Sequence, residues 1–183
     1  ASAGNDIMFD EELCNQGKGF SNKIWNAFKL IKGWEVSETI PQPESSKVAI
    51  EWYEAKSQQA LAEIEDNFEK YRISDALMGI YKLVWDDFCS WYLEMIKPDF
   101  VDGQPMPVSK ETMDATISIF ENLLKVIHPW MPFISEELWH LLKDRKDKDC
   151  LIVAQWPVFK SKDQTLLNDF TFASELITQV RNT

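Results

Sequence analysis

Apolar residues along this chain return at three- and four-residue steps, and short polar or proline-bearing runs interrupt them. That rhythm predicts helices. From Asp10 to Trp34, Phe20, Ile24, Ala27, Phe28 and Ile31 form one stripe, with a break or bend expected near Gly17 and Gly19. Pro41, Pro43 and Ser45–Ser46 mark a loop. A second helix is predicted from Lys47 to about Tyr71, with Ile50, Tyr53, Ala60, Leu61, Ile64 and Phe68 facing inward. Ser74 is the expected N-cap of a third helix that runs to about Lys97, where Pro98 stops it. This helix is apolar nearly all round, from Ala76, Ile80 and Val84 to Phe88, Tyr92 and Met95, so it belongs at the centre of the molecule.

The later segments follow the same logic. PDFVDGQPMP reads as a loop, and Ser109 caps a fourth helix over 110–127, with Ile117, Phe120, Leu123, Leu124 and Ile127 inward. His128-Pro129-Trp130-Met131-Pro132 is a tight break, and the ring of His128 is expected to satisfy a backbone group there. Pro132 opens a fifth helix, where Glu136 and Glu137 suit the positive helix end. Lys143 to Lys148 is a charged, solvated turn, Cys150 to Trp156 a short extended piece, and Asp163 to about Arg181 a last helix. Short loops favour antiparallel neighbours. The fold class is all-α: an antiparallel helix bundle with a short extended segment near 150–156.

Composition narrows the function classes. Hydrophobic residues make up 45% of 183 and eight are Trp, enough for a substantial core and too many for a disordered tail. The formal net charge of −11 excludes generic nucleic-acid binding, which wants a basic domain. Any such contact must sit on a local patch. One patch exists. Lys18, Asn22, Asn26 and Lys29 share a line on the first helix, Lys23 and Lys32 flank it, and Trp25 lies beside it. A cationic stripe interleaved with amides suits phosphates and base edges. The plain alternative is an ordinary solvent face.

Catalytic chemistry finds little support. Six Gly offer no phosphate loop or dinucleotide fingerprint. Cys14, Cys89 and Cys150 are odd in number and widely spaced, which gives no disulfide framework and fits a reducing, cytoplasmic setting. No apolar run approaches the roughly 20 residues of a membrane span. Glu137 and His140 form a lone ExxH, whereas di-iron bundles need two such pairs and two further Glu. A metal-dependent bundle enzyme built on Glu137 and His140 is therefore an alternative from another class, and a helical protein-interaction domain is a third. Asp86, Asp87 and Glu94 are read as structural carboxylates that pair with Lys82 or Lys97.

Longer segments carry a resemblance. FSNKIWNAFKLI is similar to the first helix of the anticodon-binding bundle of class I aminoacyl-tRNA synthetases, in the branch handling valine, isoleucine and leucine. YKLVWDDFCSWYLEMIKP resembles that family's third helix, with Ser90 where Asp is frequent. LLKVIHPWMPFISEELWHLL is similar to its helix break, with Trp130 for the usual Phe. VAQWP and ITQVRNT match later parts of the pattern, and the opening SAGNDIMFDEEL most resembles the valine branch.

The resemblance implies a piece of a longer enzyme that attaches valine to its tRNA using ATP. Residues 1–9 would lead in from a catalytic region, 10–157 form the anticodon-binding bundle, and 158–183 lead toward a C-terminal region. The family's catalytic HIGH and KMSKS sequences do not occur in this chain. No catalytic residue, metal or cofactor is therefore expected here, since ATP belongs to the catalytic domain. The implied partners are the anticodon stem-loop of a valine-accepting tRNA and the catalytic domain of the same chain, with no membrane. The implied RNA-facing set is Lys18, Asn22, Lys23, Asn26 and Lys29. An isoleucyl or leucyl type is the nearest alternative within the family.

Overall fold

The structure, a computed structural model, describes residues 10–146, 148–158 and 163–181, with Arg181 described by its backbone only. The lead-in 1–9 lies outside the described residues. Seven α-helices make up most of the described residues: α1 (Glu11–Lys32), α2 (Glu44–Glu69), α3 (Ile73–Lys82), α4 (Leu93–Ile96), α5 (Lys110–Ile127), α6 (Pro132–Leu142) and α7 (Gln164–Arg181). The strands described are two residues long. β1 (Val36–Ser37) pairs in parallel with β4 (Val108–Ser109), and β2 (Phe100–Val101) pairs antiparallel with β3 (Gln104–Pro105). The all-α reading holds.

α1 is continuous, without the expected bend at Gly17 and Gly19. Each Gly costs about 1 kcal/mol in a helix interior. The packed half from Phe20 to Ile31 offsets that cost, because all five stripe residues are buried there. α2 begins at Glu44, ahead of Lys47, and ends in a Schellman closure. Arg72 N–H donates to Asn67 O at 2.8 Å and Tyr71 N–H to Phe68 O at 3.0 Å. This closure holds Tyr71 at φ 57°, a left-handed position that usually falls to Gly. Gly79 of α3 has a direct packing reason: a Cβ there would lie 3.1 Å from Ile64 Cγ1 of α2.

The predicted third helix differs most. Ser74 is not its cap, since α3 starts at Ile73 after Arg72 and makes no side-chain cap bond. From Leu83 to Tyr92 the chain is π-helical, and α4 follows. The wider turn moves the buried pairs to Leu83–Val84, Phe88–Cys89 and Tyr92–Leu93. The first step is five residues, which a strict three-four pattern does not count. Ser90 Oγ donates to Trp85 O at 2.9 Å, also five residues back. The central placement is correct: the π segment touches α1, α2, α3 and α4. Tyr53 of α2 anchors it, donating to Leu83 O at 3.2 Å and packing against Phe88 and Tyr92.

Ser109 caps α5 as predicted, accepting from Thr112 N–H at 3.2 Å. The PDFVDGQPMP loop is a small hairpin, turned by Asp102 and Gly103 at φ 52° and 77°. Pro132 opens α6, but Glu136 and Glu137 fall beyond its first turn. His128 Nδ1 meets Ser135 Oγ at 2.8 Å, a side chain in place of the expected backbone partner. Within 150–156, Leu151–Val153 form a 3-10 turn between extended residues, so that segment is not extended throughout. α7 packs on α2, with Phe170 stacked on Trp52 at 3.9 Å.

Candidate nucleic-acid interface

The first helix owes its two faces to its composition. Asp10 caps it by accepting from Glu12 N–H at 2.8 Å, and Glu11 and Glu12 complement the positive helix end. Phe20, Ile24, Ala27, Phe28 and Ile31 bury one stripe against the bundle. Lys18, Asn22, Asn26 and Lys29 lie exposed on the opposite side. Among the described residues, no ion pair or side-chain hydrogen bond engages these four. Their donors and acceptors are therefore open to a partner.

Lys23 and Lys32 behave differently. Lys23 is half-buried, and its Nζ lies 5.1 Å from the ring centroid of Trp85. Trp85 stacks on Tyr81 at 5.4 Å, and Tyr81 packs on Phe20 at 5.1 Å. Lys23 thus ends an aromatic ladder and borders the open face. Lys32 donates to Leu142 O at 3.4 Å, where α6 ends. Trp25 packs on Phe28, and Trp34 is also partly buried against the core.

Beside Asn26 the surface dips into a shallow depression of about 180 Å³, lined by Ala27, Leu30, Leu93 and Glu94 among others. Periodicity singled out neither Leu93 nor Leu30, because the depression forms only where the π segment and α4 meet α1. Glu94 is held by Lys97 at 2.5 Å, the structural pairing expected of it.

The chemistry considered for an enzyme is differently arranged. His140 Nε2 meets Glu136 Oε1 at 3.2 Å, so the contact joins His140 to Glu136 and not to Glu137. Asp87 lies near Lys56, Gln59 and Lys82, and burial pushes its carboxyl up to about 6. Cys89 is buried, which raises its thiol to about 11 and leaves it unreactive, whereas Cys14 is exposed. The turn after α6 is not fully solvated. Arg145 lies 3.4 Å from the Trp139 ring centroid, donates to Trp139 O at 2.9 Å and pairs with Glu121.

Known proteins resemble this chain over most of its length. The family described as "Anticodon-binding domain of tRNA ligase" matches residues 51–183. A "Valine--tRNA ligase" of Christiangramia forsetii is 56% identical over 179 residues, covering 98% of this chain and 20% of that protein. Its counterpart in Parabacteroides distasonis is 50% identical over 181 residues, covering 99% and 20%. That of Zymomonas mobilis is 36% identical over 188 residues, covering 100% and 21%. The chain thus spans about a fifth of the length of these relatives. α1 precedes the family match but falls within the alignments to the relatives, which cover nearly the whole chain. The chain belongs to the family of anticodon-binding domains of tRNA ligases.

Proposed function

We propose that this chain is the part of a valine–tRNA ligase that docks on the anticodon stem-loop of valine tRNA. In this reading the longer protein joins valine to tRNA at the expense of ATP, and this part alone does not aminoacylate. Valine is the amino acid in the names of the relatives above. The carrying observation is membership of the anticodon-binding family, and the open face of α1 supplies matching chemistry. Lys18 and Lys29 meet phosphates, Asn22 and Asn26 read the edges of unstacked loop bases, and Lys23 contributes charge from the border of the face. The buried stripe of the same helix holds this face on a rigid support. The role belongs to translation in the cytoplasm, and no described helix is long and apolar enough to cross a membrane.

Binding of valine tRNA, followed by fluorescence anisotropy across a salt series, tests the reading. Lys18→Ala with Lys29→Ala should weaken binding and lower the salt slope by about 1 for each phosphate no longer neutralised. Asn26→Ala should relax the preference for valine over non-valine anticodon loops. Unchanged affinity and slope in a folded double variant would refute the assigned face.

A further inference from the structure

Away from the open face of α1, three side chains of different chemistry converge. Glu136 and His140 lie one turn apart on α6. The chain then leaves the helix, passes the Arg145 turn and returns with Cys150. One carboxylate oxygen, one imidazole nitrogen and the Cys150 sulfur all lie within 4.8 Å of one another. The geometry points to a zinc site formed by Glu136, His140 and Cys150, which fastens the 150–153 turn to α6.

Three observations carry this. The first is spacing. Tetrahedral zinc with ordinary Zn–N and Zn–O bonds holds those two atoms about 3.3 Å apart. His140 Nε2 and Glu136 Oε1 are 3.2 Å apart. Sulfur would lie about 3.5 Å from each in the bound site. Closing from at most 4.8 Å therefore requires a shift of little more than 1 Å, within reach of a χ1 adjustment at Cys150.

The second is support around the ligands. Both oxygens of Glu136 lie 3.1 Å from Leu151 N–H, which aims the carboxylate at the turn and leaves lone pairs for a cation. Trp139 Nε1 donates to Asp149 O at 2.9 Å and fixes the backbone just before Cys150. Arg145 in turn pairs with Asp149 and stacks on Trp139. The residues that deliver the sulfur are thus held from both sides.

The third is the donor set. A thiolate and an imidazole select zinc over magnesium or calcium, which prefer oxygen. Thiolate and carboxylate together carry two negative charges and neutralise Zn²⁺, with the thiol proton released to solvent. Glu137 and His128 line the same cleft without joining the cluster, and the fourth position falls to water. With one such cluster among the described residues, the role is a structural staple. It differs from the metal-dependent bundle enzyme on Glu137 and His140 that the ExxH pattern offered as an alternative.

The test uses the tag-free 183-residue chain, stripped with a chelator and titrated with Zn²⁺ by calorimetry, then with Co²⁺ in a spectrophotometer. One equivalent of zinc should bind and raise Tm, and cobalt should give a sulfur-to-metal charge-transfer band. His140→Ala and Cys150→Ser should each weaken zinc binding by about 100-fold or more. Cys150→Ser should also lose the band, while Cys14→Ser should leave affinity and band unchanged. The His140 side chain is 37% exposed, so H140A retains the apo fold and its Tm without metal checks this. Absence of stoichiometric binding overturns the site. So does a band that survives C150S, or one that disappears in C14S.

Discussion

Asp87 shows how one residue carries a cost set by its surroundings. Burial raises its carboxyl to about 6, while Lys56 and Lys82 hold it lower than burial alone would and Asp86 adds to the rise. The sign follows directly. The folded chain keeps this proton up to about pH 6, whereas the unfolded chain loses it near the ordinary carboxylate value. The folded state therefore binds more protons between these values, and stability falls as pH rises through that window and then levels. Asp87→Asn should add about 2 kcal/mol at neutral pH, with the gain vanishing toward pH 4. Urea unfolding of both proteins across this range measures it. That Glu94 pairs with Lys97 was legible from charge and helical spacing. The burial of Arg145 was not, because its partners Trp139 and Glu121 come from α6 and α5. A run of charged residues looks solvated until something packs over it.

Among the elements, the π segment decides most. It brings Tyr92 under α5, where Tyr92 O–H donates to Thr116 Oγ1 at 2.9 Å and Thr116 donates to Thr112 O at 2.7 Å. Ser109 Oγ donates to Thr112 Oγ1 at the same helix start, which extends the buried chain of hydroxyls. Tyr92→Phe should cost about 1 kcal/mol and lower Tm by a few degrees, because Thr116 keeps its other bond. Thermal unfolding reads this directly. An unchanged Tm would mean that the hydroxyl adds nothing to the ring packing of Tyr53, Phe88 and Tyr92. The helix bounds of α5 and the start of α6 were legible from Ser109 and Pro132, whose effects on the backbone are local. The π register was not, since it depends on how wide a turn the neighbouring helices α1, α2 and α3 accept.

For the whole molecule, a net charge of −11 faces the open cationic stripe of α1. On the proposed function, the acidic surface repels RNA from other faces, limits non-specific contact and leaves this chain few phosphate contacts of its own. On that reading, this chain should bind valine tRNA markedly more weakly than a full-length valine–tRNA ligase that contains it, since linked contacts multiply affinity. Anisotropy titrations of both proteins at matched salt check this, and equal affinity would place all the binding in this part.

Local sequence by itself determined the helices outside residues 83–92, the buried stripe of α1, the Ser109 and Pro132 boundaries, and the opposed faces of α1. Each follows from side-chain spacing or from chemistry within one turn. Tertiary structure decided where Lys23 ends, over Trp85. It also decided that Cys150 comes back to α6. Those outcomes depend on which helices lie side by side, and contacts across ten or more residues leave no periodic trace in the chain.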